Sequence, residues 1–524
     1  MIMLMFAQIY GTAIGTITEQ RGMGANDQKS RILSTILQND LANITYRQTT
    51  REYGTAAGIV PLSPGDEAIL DRDNQQGYFY LSENDPGNPT DDVLQFTAKV
   101  QDSDFDNWFV GKAEFLDIAS GNEPNKDGGP SNAPGQSRFA EISYFLRQGT
   151  LYRRVLLLRD AGGQDEQPGT STSDRYFGAG RQSYPTTASS TSFWRDFDYS
   201  ATRVYLDATN SYPWFNGKSS LVNLPEAIDR KPIALPWNRF GHLNSSETGN
   251  PNRGQPREYT NETPGSGEFI GRFIHEETAH PFVTYPGTAD NGIFDRAIPL
   301  TLNATTKTIN DNDGNAVSAT ERLGEDVLMT NVESFDVEVW EPEFGGFVQL
   351  GHSGTGEFSS SSRSNPGYGP RQSGYNNIFD TWHPDVKSGN PANFVPPPYR
   401  PVVSGTTLTQ WSGDDGTTMT YQVGNRVLIP ALQTEGEYND SLYYEVIAVN
   451  GSPTTDVDGN RGTNRPEWIA VPGAVVQDNE LTWLCVDNRV GLQAIRITIR
   501  YIDVQSRLPR QVTVVHSFMK SRPK

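Results

Sequence analysis

Residues 1–47 read MIMLMFAQIYGTAIGTITEQRGMGANDQKSRILSTILQNDLANITYR, and the reading of this stretch decides the fold. Met1 to Ile17 is apolar apart from Gln8 and a few small polar residues. At 1.5 Å per residue that run covers roughly 25 Å, short of the ~20 residues a bilayer crossing takes. No basic stretch precedes it and no A-x-A site follows it, so it reads as the back half of a hydrophobic helix rather than as a signal peptide. A polar segment with Gly22 and Gly24 comes next. Apolar spacing then resumes: Leu33, Ile36, Leu37, Leu41 and Ile44 recur at the i, i+3/i+4 period, with Arg31, Gln38, Asp40 and Asn43 off that stripe. The pattern predicts one helix from about residue 3 to 46, about 65 Å long, apolar all round in its first half and on one side in its second. A signal-type apolar run followed by an ordinary helix stays open beside it.

Beyond residue 47 the periodicity changes to two. Leu94, Phe96, Ala98 and Val100 share one face. Glu141–Leu146 and Leu151–Leu158 flank Arg147-Gln148-Gly149-Thr150 and predict a hairpin with a Gly-containing loop. Ala201–Asp207 and Val327–Trp340 alternate as strands. Ile495, Ile497, Ile499 and Tyr501 do the same before a turn near Ser506–Pro509 and a last strand at Gln511–Phe518. The expected class is α+β: a long N-terminal helix packed on antiparallel sheet. The polar segments Ala161–Ser192, Asn244–Gly267 and Ser353–Asn377 read as surface insertions.

Composition narrows the function. The chain has 524 residues and a formal charge of −20, from 63 acidic and 43 basic side chains. That balance excludes a nucleic-acid binder, which needs a basic face to displace phosphate counterions. A single cysteine, Cys485, excludes an intrachain disulfide framework, a Cys-based zinc site and a CxxC redox centre. Fifty Gly and 34 Pro exceed average usage and belong to loops.

Residues 405–487 read as an inserted all-β module, entered through the Pro-rich Phe394–Pro401. They divide the chain into a helix at 1–47, a main β-rich domain at 48–404, the module, and a terminal hairpin at 488–524 that completes the main domain. The module holds Trp411, Tyr421, Tyr443, Tyr444, Trp468 and Trp483. Two uses stay open for these rings: Trp411 and Trp468 as platforms stacking on sugar faces, or the whole set as the module's own core.

Catalytic patterns fail one by one. His275 and His280 in HEETAH stand at i, i+5, whereas a zincin needs i, i+4 on one helix face. Gly351-His352-Ser353-Gly354 is followed by Thr355, which breaks the GxSxG elbow. Calcium is the one ion kept open. Asp456, Asp458, Asn460 and Glu467 follow the EF-hand spacing, although Arg461 replaces the loop's glycine. Asp311-x-Asp313-Gly314-Asn315 repeats the front half. Such strings are also ordinary turn sequences.

The assembled pattern resembles the type IV pilin-like family. MIMLMFAQIYGTAIGTITEQ passing into KSRILSTILQNDLANITYR is similar to its N-terminal helix. The L-x-x-D-L at Leu37–Leu41 resembles the helix end of minor members, the J-type pseudopilin of type II secretion and the W-type minor pilin. Their hairpin, an I-x-Y strand turning into an L-Y-R strand, is similar to EISYFLRQGTLYRRVLLL. VLMTNVESFDVEVWEP, FDTWHP (Phe379–Pro384) and GLQAIRITIRYIDVQSRLPRQVTVVHSF resemble later pieces in the same order. Met5 stands where a mature pilin has Glu, so the resemblance places Met1 about ten or more residues into the mature helix. It implies a non-enzymatic subunit without cofactor, single-pass in the inner membrane with a periplasmic domain. Its partners would be other pseudopilins or minor pilins in a pseudopilus or pilus, and Met3, Leu4, Phe6, Ile9, Tyr10 and Ile14 its stem contacts. The alternative is a secreted or surface-anchored carbohydrate-binding protein using the 405–487 module.

Overall fold

The computed structural model describes residues 27–47, 58–60, 75–83, 88–100, 108–112, 134–147, 149–159, 198–205, 211–221, 233–242, 301–302, 309–310, 316–317, 326–341, 345–350, 378–381, 409–410, 420–428, 442–453, 459–460, 466–469, 473–487, 491–503 and 507–519. Its principal elements begin with α1 (residues 27–42), β1 (Phe79–Ser82), β2 (Val93–Lys99), β3 (Phe139–Arg147), β4 (Thr150–Leu158), β5 (Val327–Thr330), β6 (Val332–Glu341), β7 (Gly346–Val348) and β8 (Ile378–Asp380). They continue with β9 (Thr409–Gln410), β10 (Arg426–Leu428), β11 (Leu442–Val449), β12 (Val475–Asp478), β13 (Leu481–Asp487), β14 (Ala494–Ile502) and β15 (Pro509–Ser517).

These strands make three main sheets. The first is six-stranded, in the order β5-β4-β3-β2-β1-β8, and the second four-stranded, β7-β6-β14-β15. Every pairing in both is antiparallel. Asn331, at φ 59°, hands the chain from β5 in the first sheet to β6 in the second. Asn is among the few side chains that tolerate this left-handed turn. The alternating apolar residues of both sheets enter one buried cluster, in which Leu94, Phe96 and Ile142 of the first join Phe335, Val337, Ile497 and Ile499 of the second. Full burial of each such side chain is worth about 1.5–3 kcal/mol. The third sheet, β9-β10-β11-β13-β12, has its own cluster around Trp483, Tyr444, Val446 and Cys485.

The expected α+β class is corrected by this architecture. Of the described residues 58 % are strand and 11 % helical, with α1 the one α-helix, so the fold is β-rich rather than a long helix packed on a sheet. The physical reason lies in the core. The two facing sheets supply most of the first cluster, and α1 adds Leu33, Leu37 and Leu41 to it. The third sheet adds only strand.

Candidate functional site

α1 is attached to the first sheet through the stripe legible in its sequence. Leu33, Leu37 and Leu41 are buried, with Ile44 beyond the helix, while Gln28, Arg31, Thr35 and Asn39 stay exposed. Near the start of α1 the Ser30 and Tyr501 hydroxyls lie 2.5 Å apart, joining it to the end of β14.

Near its end lies a charged clasp. Asp40 is 4 % exposed although it sits off the apolar stripe. Arg153 of β4 donates from Nε to Oδ2 at 2.7 Å and from Nη2 to Oδ1 at 2.8 Å. Tyr144 of β3, Arg153's partner across the hairpin, donates its hydroxyl to the same Oδ2. A bidentate Arg–carboxylate pair fixes orientation as well as distance. Burial, and then the negative charge of Asp40, hold the Tyr144 phenol well above its ordinary range. Burial opposes the Arg153 charge, but the hydrogen bonds and charge of Asp40 outweigh it and push that guanidinium up. Tyr144 therefore stays a neutral donor and Arg153 a fixed cation, which makes the group a clamp on the helix.

The opposite face of the first sheet carries a second polar cluster. Glu141 of β3 is wholly buried and receives Tyr78 Oη, Gln95 Nε2 at 2.8 Å, Ser200 Oγ at 2.8 Å and the Phe240 amide at 3.1 Å. Burial pushes its pKa up, and the donors from Tyr78, Ser200 and Phe240 pull it back. Arg239 grips Asp380 of β8 at 2.7 and 3.0 Å and lies 4.0 Å over the Tyr78 ring. Arg154 pairs with Asp198 and, at 3.5 Å, with Asp326. Residues from 198–200 and 233–242 are thus tied onto the sheet by buried, paired charges, the condition under which burying a charge is tolerable.

The stem residues Met3, Leu4, Phe6, Ile9, Tyr10 and Ile14 lie outside the described residues, as do Trp411, Asp456, Asp458, His275, His280 and Asp311–Asn315. Asn460 pairs with Thr420, and its amide donates to Glu480 Oε2 at 2.6 Å; Glu467 is exposed. Among the described residues no group of three or more His, Cys, Asp or Glu is arranged to hold a metal ion. No described helix is long and apolar enough to cross a membrane. Trp468 is 8 % exposed and meets Tyr444 and Trp483 edge-on, at 4.6 and 5.9 Å between ring centroids. Its ring thus belongs to the third sheet's own core cluster. No family model, no curated protein and no solved structure matches the chain.

Proposed function

We propose that the protein is a non-enzymatic filament subunit of the minor pseudopilin or minor pilin kind. Its apolar N-terminal stretch lies in the inner membrane and then packs among the stems of neighbouring subunits, with the β-rich part held on the periplasmic side. A bulky subunit of this kind belongs at the filament tip, where it does not have to repeat along a packed array.

One observation carries the reading. The three polar residues of three separate pilin-like fragments meet in a single clasp: Asp40 of L-x-x-D-L, Tyr144 of I-x-Y and Arg153 of L-Y-R. A subunit pulled by its stem needs its helix locked to its sheet, and a half-buried bidentate ion pair at the end of α1 is placed to bear that load. The test is copurification. Replacing Phe6 and Ile9 with Asp abolishes recovery with partner pseudopilins while the β-rich part still folds; unchanged recovery overturns the stem assignment.

A further inference from the structure

The two edges of the second sheet are treated differently. On one side β6 is closed: β7 pairs with Val339–Glu341, the Phe335 amide donates to Pro89 O at 2.9 Å, and the Val337 amide donates to Asp92 Oδ2 at 2.5 Å. On the other side lies β15, a nine-residue strand that pairs with β14 alone among the described residues. The bonds Asp503 N to Leu508 O and Phe518 N to Gln493 O set the alternation of the ladder. Arg510, Val512, Val514 and His516 therefore turn their main-chain groups to β14, and Gln511, Thr513, Val515 and Ser517 turn theirs outward. No main-chain partner meets those four outward groups among the described residues.

Natural edge strands are usually blunted by a bulge, an internal Pro or inward-pointing charge. β15 pairs with β14 in unbroken register, its one Pro is at its first residue, and its one inward-facing charge, Arg510, comes directly after it, which leaves Gln511–Ser517 without any of these devices. Its flanks are apolar: Val515 and Leu508 are each 56 % exposed and Met519 is 45 % exposed. Its charge is opposite to that of the chain. Residues 494–524 contain seven Lys or Arg and one Asp in a protein of net charge −20. Arg507 and Arg510 stand at the start of this edge with no ion pair among the described residues, and Arg510 Nε is buried with no hydrogen bond. Arg500 beside them donates from Nε to Gln511 Oε1 at 3.4 Å and feels the charge of Asp336.

We infer that the outer edge of β15 is a docking site for an extended acidic segment of a partner protein, added as a further antiparallel strand. The main chain supplies affinity along Gln511–Ser517, apolar side chains of the guest lie against Val515 and Met519, and its carboxylates reach Arg507 and Arg510. This inference does not rest on the stem assignment, and its test leaves the stem untouched.

The experiment uses the full chain and two labelled heptapeptides, Glu-Val-Glu-Thr-Glu-Val-Glu and its Lys-for-Glu counterpart, read by fluorescence anisotropy. The Glu peptide binds at least about tenfold more tightly than the Lys peptide, and raising salt from about 0.05 to about 0.5 M weakens it several-fold. Thr513→Pro removes the central outward amide and cuts binding about tenfold. Since Pro can disturb the strand itself, Arg507→Glu with Arg510→Glu provides the second arm: Glu-peptide binding falls and Lys-peptide binding rises. Equal affinity for both peptides, no binding of either, or Glu-peptide binding indifferent to both variants overturns the proposal. A salt-sensitive dimer of the chain that excludes the peptide and dissociates on Thr513→Pro also overturns it, by making a second copy the occupant.

Discussion

Asp40 and Arg153 lie 113 positions apart in the chain and share two hydrogen bonds of 2.7 and 2.8 Å. Asp40 is nearly buried and the Arg153 side chain is 25 % exposed, so the pair ties α1 to β4 in partial shelter from water. Removing one member of a buried pair strands the other charge, at a cost of about 3–5 kcal/mol. With Arg153 partly solvated, Asp40→Asn is expected to cost about 2–3 kcal/mol. Urea unfolding of Asp40→Asn, Arg153→Met and the double variant measures the coupling. A coupling below about 0.5 kcal/mol would show that the clasp does not hold the helix.

Asp92 connects the first sheet to the second by accepting the Val337 amide. Burial, then the negative charges of Glu83, Asp91 and Asp336, raise its pKa well above the ordinary carboxylate value, against the pull of that amide. A raised folded-state pKa means the folded protein holds this proton more tightly than the unfolded chain does. Its contribution to stability is full below the unfolded value, near 4, and is lost as pH rises through the folded value. The urea midpoint of the native chain is thus expected to fall relative to that of Asp92→Asn between about pH 4 and pH 8. Parallel pH profiles for the two proteins contradict this placement.

Gly58 sits at φ +97°, and a Cβ there would lie 2.0 Å from the carbonyl oxygen of Leu492. No rotamer relieves a clash with backbone, and the same two segments are joined by reciprocal bonds between Ile59 and Leu492 of 2.9 and 2.8 Å. Gly58→Ala should destabilise by at least about 2 kcal/mol, combining conformational strain with loss of the bridge. Gly424, at φ +90° with nothing within 4 Å of its Cβ position, is the control: Gly424→Ala costs about 1 kcal/mol. Equal losses in thermal unfolding would remove the steric argument.

Trp468 and Trp483 share the third sheet's core. Trp468→Ala is therefore expected to destabilise that sheet by about 3 kcal/mol, as large-to-small core changes do. Limited proteolysis would show cleavage within 405–487 before the rest of the chain. A variant that unfolds normally but loses retention on a polysaccharide column would instead restore the stacking role.

Local periodicity made some of this fold readable. Of the stripe Leu33, Ile36, Leu37, Leu41 and Ile44, all but the half-buried Ile36 are buried, and the residues of β14 that alternate inward, Ile495, Ile497, Ile499 and Tyr501, are all in the core. The β3–β4 hairpin turns at Gly149, φ +73°, inside the loop its sequence announced. What failed to show was the balance of the whole. An apolar N-terminal run dominates the eye, whereas class depends on how much chain each element occupies. Glu141 illustrates a second limit: its place in an alternating strand marks a polar face, and only the fold reveals that residues from 198–200 and 233–242 cover it. The clasp was hidden for the same reason, since no period links residues 40, 144 and 153.

The filament reading meets its most direct test in the DNA upstream of the Met1 codon. The account predicts an open frame encoding a short basic leader, then Gly, an apolar residue and a Glu at the fifth position of the mature chain. An in-frame stop just upstream, with a ribosome-binding site before Met1, would contradict it.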